Sequence, residues 1–253
     1  MASLLVPALA WVDRIHLNRS IRGERGGRAV LLKRRRVIAR PVMRLANVFF
    51  GWARNPVEAI ASASEWLRWE EEWFRRLHGP DFGAGSDPDG TLWMEMLPGG
   101  SLSDHLVAGT LRPAQLAAAG AELRRAHAVP CAYHGGGFSH GDSHTGNFIF
   151  DPATGRARLV DFEVRHLRGL RENERHADDL LVMLQDVCGR CSADAWLPLA
   201  GAFLDGYGRP EITAMLPEVL RVPRGIPRLW WAVRTTWMPL AELERRLALL
   251  RSR

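Results

Sequence analysis

The sequence predicts an α+β fold of two lobes, a small sheet-bearing N-lobe and a larger, mainly helical C-lobe. Short apolar segments of strand length occur in the first part of the chain, whereas a helical pattern broken by prolines runs from about residue 172 onward. Between them, residues 97–100 (LPGG) are typical of a hinge. We therefore assign residues 1–97 to the N-lobe and residues 98–253 to the C-lobe.

Composition and charge exclude several classes of protein. With 47% hydrophobic residues, ten Trp and nine Phe, the chain has ample apolar surface for a folded core, which excludes intrinsic disorder. The formal net charge of +6 favours anionic partners such as a nucleotide, a phosphorylated glycan, an acidic lipid or a nucleic acid. Of the 34 basic residues only Lys33 is a lysine, which makes this residue conspicuous.

The cysteines indicate a reducing compartment. Cys131, Cys188 and Cys191 are odd in number and include a single C-x-x-C pair. A disulfide framework is therefore not expected, and a zinc site would lack half of its ligands. Residues 1–11 are apolar, but the charge at Asp13 comes too early for a membrane span. We expect buried thiols and a cytoplasmic protein.

Two segments near the start of the chain predict a strand and a helix. Residues 29–33 (AVLLK) predict a short buried strand that follows a Gly26-Gly27 turn and ends at Lys33. Residues 42–52 (VMRLANVFFGW) are apolar, with arginines around and within them, and predict a helix. This helix either packs on the core or lies on an anionic membrane surface.

A carboxylate lies within the apolar stripe of the next predicted helix, residues 57–77. Its apolar members follow helical spacing, and Glu70 falls among them. A buried carboxylate is costly unless it is paired, so Glu70 needs a cationic partner. The stripe consists of Trp66, Trp69, Glu70, Trp73 and Leu77.

The rest of the chain predicts loops, strands and helices that place the polar motifs. Turn residues, strand-length apolar segments and helical periodicity separate these elements. In order, we predict a loop at 78–90, a strand at 91–96, a helix capped by Ser101 or Ser103, a helix at 113–128, and a β-hairpin formed by 147–150 and 156–162.

The polar segment 140–147 (HGDSHTGN) and Asp161 carry the clearest chemical signal. His140, Asp142 and Asn147 fit the pattern H-x-D-x-x-x-x-N, and Asp161 follows Asn147 by 14 residues, the length of one hairpin. This combination resembles the catalytic loop and the metal-binding Asp of the protein-kinase-like superfamily. The resemblance implies a bilobal protein-kinase-like fold, with His140 supporting the loop.

The resemblance also implies the roles of five side chains. Asp142 is expected to accept the proton of an attacking hydroxyl or to orient that hydroxyl. Asn147 and Asp161 are expected to hold Mg²⁺, a cation that prefers oxygen ligands. Lys33 is expected to contact the phosphates of ATP and to pair with Glu70 on the following helix. Glu71 is the alternative partner of Lys33.

Two further expectations concern the nucleotide. Glu95, Met96 and Leu97 correspond to the linker between lobes, whose backbone groups are expected to hold the adenine. We interpret Gly26-Gly27 as a turn between strands, which places the loop that covers the phosphates at residues 16–20.

Several departures point to an atypical branch of the superfamily. Gly141 replaces the arginine of ordinary protein kinases, Glu163 replaces the glycine of D-F-G, and no A-P-E motif follows. The pattern looks more like aminoglycoside and choline phosphotransferases, bacterial lipopolysaccharide-core (Kdo-type) kinases and bacterial RIO-like proteins. Asp178 or Asp179 either holds the catalytic loop in place or is an exposed acid at a helix start.

The resemblance predicts an ATP- and Mg²⁺-dependent phosphotransferase that acts on a hydroxyl. We favour a glycolipid sugar as acceptor, closely followed by a protein Ser or Thr, with peripheral contact to the anionic inner face of a membrane. Trp230, Trp231 and Trp237 are expected to pack in the core rather than to bind sugar. The alternative is a catalytically inactive kinase-like scaffold. Nucleic-acid binding is not expected, because no zinc-finger or RNP-like motif accompanies the arginines.

Overall fold

The N-lobe contains a four-stranded antiparallel sheet. The structure is a computed structural model that describes residues 17–235 and 237–251. Its strands are β1 (Asn18–Arg25), β2 (Arg28–Arg35), β4 (Ala84–Ser86) and β5 (Thr91–Glu95). They pair in the order β1-β2-β5-β4.

The β1–β2 hairpin corrects the prediction for residues 16–20. Gly26 and Gly27 form its turn with φ of 57° and 76°, values that suit glycine and a primed hairpin turn. Residues 18–20, predicted to lie in the loop that covers the phosphates, are instead paired strand, because Ser20 lies opposite Lys33 in the register. His16 lies outside the described residues.

Between β2 and the sheet strand β4 the chain forms helix α1 (Ala39–Trp52), strand β3 (Val57–Ala59) and helix α2 (Ala63–His78). The predicted helix over residues 57–77 is therefore wrong at its start. Residues 57–59 pair with a strand from the C-lobe, and the side chain of Ser62 then accepts a hydrogen bond from the amide of Glu65 and caps α2.

The C-lobe consists mainly of helices packed around one core. The first part of this lobe contains short strands as well as helices, and in the described part of the chain helices alone follow from residue 172 onward. Its elements are β6 (Gly100–Ser101), α3 (Leu102–Val107), α4 (Pro113–His127), β7 (Pro130–Cys131), β8 (Gly136–Gly137), β9 (Phe148–Asp151), β10 (Arg156–Leu159), β11 (Val164–His166), α5 (Glu172–Arg190), α6 (Trp196–Tyr207), α7 (Pro210–Thr213), α8 (Leu216–Val219), α9 (Ile226–Arg234) and α10 (Leu240–Arg251). Single 3₁₀ turns occur at Gly79–Asp81 and Thr145–Asn147.

Two small sheets bring the polar segments together. β9 and β10 form the predicted hairpin, and β6 adds to its edge. β11 pairs with β3, which joins the segment after Asp161 to the N-lobe. The predicted α+β fold, with a sheet in the N-terminal part and mainly helices in the C-terminal part, is confirmed, whereas the boundary at residue 97 stays a prediction. Among the described residues, no helix is both long and apolar enough to cross a bilayer.

Candidate active site

Lys33 lies at the centre of the site, between a helix of the N-lobe and a loop of the C-lobe. Its Nζ is 3.1 Å from a carboxylate oxygen of Glu70 and 2.7 Å from one of Asp161. Burial disfavours a charged ammonium, but the carboxylates of Asp161, Glu70 and Glu163 outweigh that cost and raise the pKa of Lys33 above its ordinary value. Lys33 therefore remains protonated.

The apolar stripe of α2 holds Glu70 in place. Trp66 donates its indole N–H to Glu70 Oε1 (3.2 Å), and the amide of Phe162 donates to Oε2 (3.2 Å). Glu70 is fully buried, so these contacts and Lys33 together supply the partners that a buried carboxylate requires. Glu71, the alternative partner, instead accepts from Arg75 across one helical turn.

Glu163 completes a group of three carboxylates around Lys33. Its oxygen lies 3.8 Å from Lys33 Nζ and accepts a hydrogen bond from Asn18. One ligand oxygen from each of Glu70, Asp161 and Glu163 lies within 4.8 Å of the other two. Burial and the nearby charge of Asp161 raise the pKa of Glu163 to about 8. Every ligand atom in this group is a carboxyl oxygen, the donor type that a hard divalent cation such as Mg²⁺ prefers.

The backbone at Asp161 is strained where it meets Lys33. Its φ is 71°, which is uncommon for a residue other than glycine. Such conformations persist where the surrounding structure enforces them, and they cluster at functional sites. Here the ring of His140 is hydrogen-bonded to the Val160 carbonyl at 3.0 Å, which fixes the residue just before Asp161. His140 thus supports the loop, as expected.

Asp142 and Asn147 lie on one loop and are joined directly. Asn147 donates its side-chain N–H to the Asp142 carbonyl (2.8 Å), which leaves Asn147 Oδ1 as an acceptor. The Asn147 carbonyl in turn accepts from the amide of Val160 (2.9 Å). The Asp142 carboxylate is 44% exposed and lies 3.6 Å from His144, so it is accessible from solvent. These bonds connect the segment 142–147 to Asp161.

Asp179 on α5 holds the loop at residues 140–147 in place. It accepts from the amides of His140 (2.8 Å) and Gly141 (2.7 Å) and is 3.0 Å from His127 Nε2. Burial would raise the pKa of its carboxyl, but the hydrogen bond from His127 and the neighbouring histidines outweigh burial and hold that pKa far below its usual range. Asp178, the other candidate, instead pairs with His166 (3.2 Å).

A second acid on α5 supports the same loop and was missed from the sequence. Asp186 accepts from the amide and the hydroxyl of Thr145, and Arg190 lies 3.3 Å from its other oxygen. Asp179 and Asp186 are both buried and seven residues apart, so they share one face of the helix. In the sequence, the signal for Asp186 was its i, i+7 spacing from Asp179 within an otherwise apolar helical pattern.

The linker residues predicted to hold adenine are partly engaged within the sheet. The amide of Glu95 donates to the Gly83 carbonyl (2.8 Å), and that of Met96 donates to the Ala29 carbonyl (2.9 Å). Both N–H groups are therefore unavailable to a nucleotide. The predicted contact with adenine would therefore involve the backbone of Leu97 or the carbonyl groups of the linker.

A cavity of about 340 Å³ adjoins Asp142 on the side of the C-terminal helices. Its wall combines aromatic rings, arginines and one amide: Phe50, Gln185, Arg190, Trp230, Arg234 and Trp237 are among the lining residues. Gln185 is 1% exposed, and neither end of its amide has a hydrogen-bond partner among the described residues. An unpaired buried amide is costly, so a polar ligand in the cavity would relieve that cost. Of the three tryptophans expected in the core, Trp231 is buried, Trp230 is partly buried and packs against the core, and Trp237 is 44% exposed.

Comparisons with known proteins give only distant similarity. No protein-family model and no curated protein sequence matches this chain. The structure is similar to that of WaaP in complex with acyl carrier protein, at 17% identity and a TM-score of 0.42, covering 96% of this chain and 92% of that one. It is also similar to the Rv3197–erythromycin complex from Mycobacterium tuberculosis, at 15% identity and a TM-score of 0.42, covering 93% and 71% of the two chains.

Proposed function

We propose that this chain is a phosphotransferase that uses ATP and Mg²⁺ and transfers the γ-phosphate to a hydroxyl group. The single observation that carries the proposal is the position of Lys33, whose ammonium joins Glu70 on α2 to Asp161 beside the catalytic loop. The only lysine of the chain is thus buried against two carboxylates that are 37 and 128 residues away in sequence. Such an arrangement suits the binding of a triphosphate and its metal.

Mg²⁺ would be held by Asp161 and Asn147, with Glu163 nearby as a further oxygen donor. When bound, the metal neutralises the charge that develops on the phosphoryl oxygens. Lys33 positions the phosphates by charge and hydrogen bonding. Glu70 does not touch substrate; it positions Lys33, which it meets at 3.1 Å.

Asp142 accepts the proton of the acceptor hydroxyl or orients that hydroxyl for attack. Its exposure allows a second substrate to reach it, while the loop around it is fixed through Asp179. Positioning of this kind is the main contribution that a protein makes to phosphoryl transfer, because little covalent chemistry is required of it.

The cavity beside Asp142 favours a sugar over a peptide as acceptor. Indole rings of Trp230 and Trp237 offer flat apolar surfaces, the Gln185 amide has no partner among the described residues, and Arg234 favours an anionic group. A glycolipid sugar, such as one in a lipopolysaccharide core, has this mixture of hydroxyls and negative charge. A protein Ser or Thr is the second candidate acceptor.

Transfer from labelled ATP to three lysate fractions tests the proposal. Protein, lipid-extracted and small-molecule fractions are each incubated with the chain, Mg²⁺ and γ-labelled ATP. We expect label in the lipid fraction, lost in Asp142→Ala and in Asp161→Ala and retained in the control Asp205→Ala, which alters an exposed acid on α6. Turnover that is equally slow in all four proteins would instead support a catalytically inactive scaffold.

A further inference from the structure

Helix α1 presents an apolar face that nothing in the described chain covers. Leu45 and Trp52 are each 72% exposed, and Val48 is 57% exposed. Together with Pro41 these residues follow i, i+4, i+7 and i+11 spacing, so they form one stripe along the helix, the outer face of α1. Five of the eleven exposed large hydrophobic side chains in the described residues lie in α1 and the turn before it. Such clustering marks an interaction surface rather than scattered exposure.

The segment that contains this face carries only basic charges. No acidic residue occurs between Glu24 and Glu58, a segment that contains eight arginines and Lys33. Some of these arginines pair with acids elsewhere, as Arg25 does with Asp87. Four arginines are exposed and make no ion pair with any described residue: Arg36, Arg40, Arg44 and Arg54. A partner of this face therefore carries negative charge.

The inner face of α1 fixes the orientation of the outer face. The Asn47 side chain donates to the Ala59 carbonyl (2.9 Å) and accepts from the Ala59 amide (2.8 Å). On the same side, Phe50 packs edge-on against Trp230 with ring centroids 4.8 Å apart. Because the helix is held on this side by specific contacts, it cannot turn its exposed stripe inward without breaking them.

We propose that the outer face of α1 docks on an anionic membrane surface. An amphipathic helix with Trp, Leu and Val on one face and arginines at its border is suited to lie in the plane of the interface. A bilayer with acidic headgroups complements both the apolar stripe and the unpaired arginines. A symmetric dimer through this face would instead bring the arginines that border it in one copy close to those of the other, at an electrostatic cost.

Phe50, on the inner face of α1, also lines the cavity beside Asp142. In the docked orientation α1 would therefore lie between the membrane and this wall of the cavity. Membrane docking itself does not depend on the proposed phosphotransferase activity.

A fluorophore attached on α1 tests the proposal directly. The three native cysteines are buried, so Val48→Cys is labelled selectively with an environment-sensitive dye, and Val107→Cys on α3, 81% exposed, serves as the control. We expect the dye at position 48, and not at 107, to report an apolar environment when vesicles with 30% phosphatidylglycerol in phosphatidylcholine are added. Vesicles of phosphatidylcholine alone should bind far more weakly.

Two sets of substitutions separate charge from apolar contact. The double variant Arg40→Gln/Arg44→Gln should lower the vesicle partition coefficient about 30-fold, at roughly fivefold per arginine. The variant Leu45→Ser/Val48→Ser should lower it more than tenfold. Asp142→Asn should bind vesicles like the wild type, which separates docking from catalysis.

Two results would overturn the proposal. One is slow thiol labelling of Val48→Cys in the free protein, because it would mean that another part of the chain already covers the face. The other is a dimer in light scattering that Leu45→Ser/Val48→Ser dissociates, with no vesicle binding by the wild type, because the occupant would then be a second copy of this chain.

Discussion

Replacing Asp179 by Asn should release the loop at residues 140–147 from α5. In the folded protein both carboxylate oxygens accept backbone N–H groups, at 2.8 Å from His140 and 2.7 Å from Gly141. The Asn side chain keeps one acceptor oxygen for one of these backbone N–H groups. Its NH₂ group, a donor, then faces the other backbone N–H group. At least one charge-assisted hydrogen bond is lost, and a buried N–H is left unpaired, at a cost of about 3 kcal/mol.

The same change should reduce phosphoryl transfer more than stability alone explains. Asp142 follows Gly141 directly, so a loop that shifts by about 1 Å moves the reacting carboxylate and lowers kcat about 100-fold. Urea denaturation gives the free energy of unfolding, and initial rates with saturating ATP give kcat. Both are measured where the variant is fully folded.

Asp178→Asn is the matched control for that experiment. Asp178 is the neighbouring residue on α5 and makes one side-chain contact, to His166 at 3.2 Å. Its replacement should cost about 1 kcal/mol or less and leave kcat within about threefold of the wild type. The reasoning is refuted if both variants lose the same stability, or if Asp179→Asn turns over like the wild type.

Two further predictions concern helix α2. Glu70→Gln should lower kcat/KM for ATP at least tenfold because Lys33 loses a buried partner, whereas Glu71→Gln should leave kcat/KM within about twofold of the wild-type value. Steady-state kinetics measure both variants. Equal effects would contradict the assignment of Glu70 as the partner of Lys33. Burial lowers the pKa of His78 from 6.5 to about 3, so folding excludes a proton that the unfolded chain binds below pH 6.5. Stability is therefore lost as pH falls, by about 2 kcal/mol from this residue between pH 8 and pH 5. Urea denaturation of His78→Gln at pH 8 and pH 5 should show a loss of stability about 2 kcal/mol smaller than that of the wild type. A loss equal to that of the wild type would contradict the prediction.

The sequence predicted the contact between Lys33 and Glu70, because local patterns and chemistry agreed there. The Trp stripe on α2 required a partner for Glu70, and the lone Lys33 required a carboxylate, so each residue pointed to the other. The spacing of Asp142, Asn147 and Asp161 was also visible, because a loop and a hairpin are short, local structures.

What the sequence did not predict depends on long-range pairing. Residues 57–59 looked helical, but they pair with β11, a strand 107 residues away that the periodicity of the segment cannot reveal. The side-chain hydrogen bond between Asn18 and Glu163, two residues that are 145 positions apart, is equally invisible to local patterns. Asp178 and Asp179 could not be separated either, because their difference lies only in which helix face meets the loop.

The dependence of ATP affinity on Mg²⁺ tests the central claim, that Lys33, Asn147 and Asp161 surround one triphosphate and its metal. Calorimetric titration with ATP is performed with and without Mg²⁺ on the wild type, Asp161→Asn and the control Asp205→Ala. We predict that Mg²⁺ tightens ATP binding at least tenfold in the wild type and the control, and that Asp161→Asn loses this tightening. Equal ATP affinity with and without Mg²⁺ in the wild type would contradict the account.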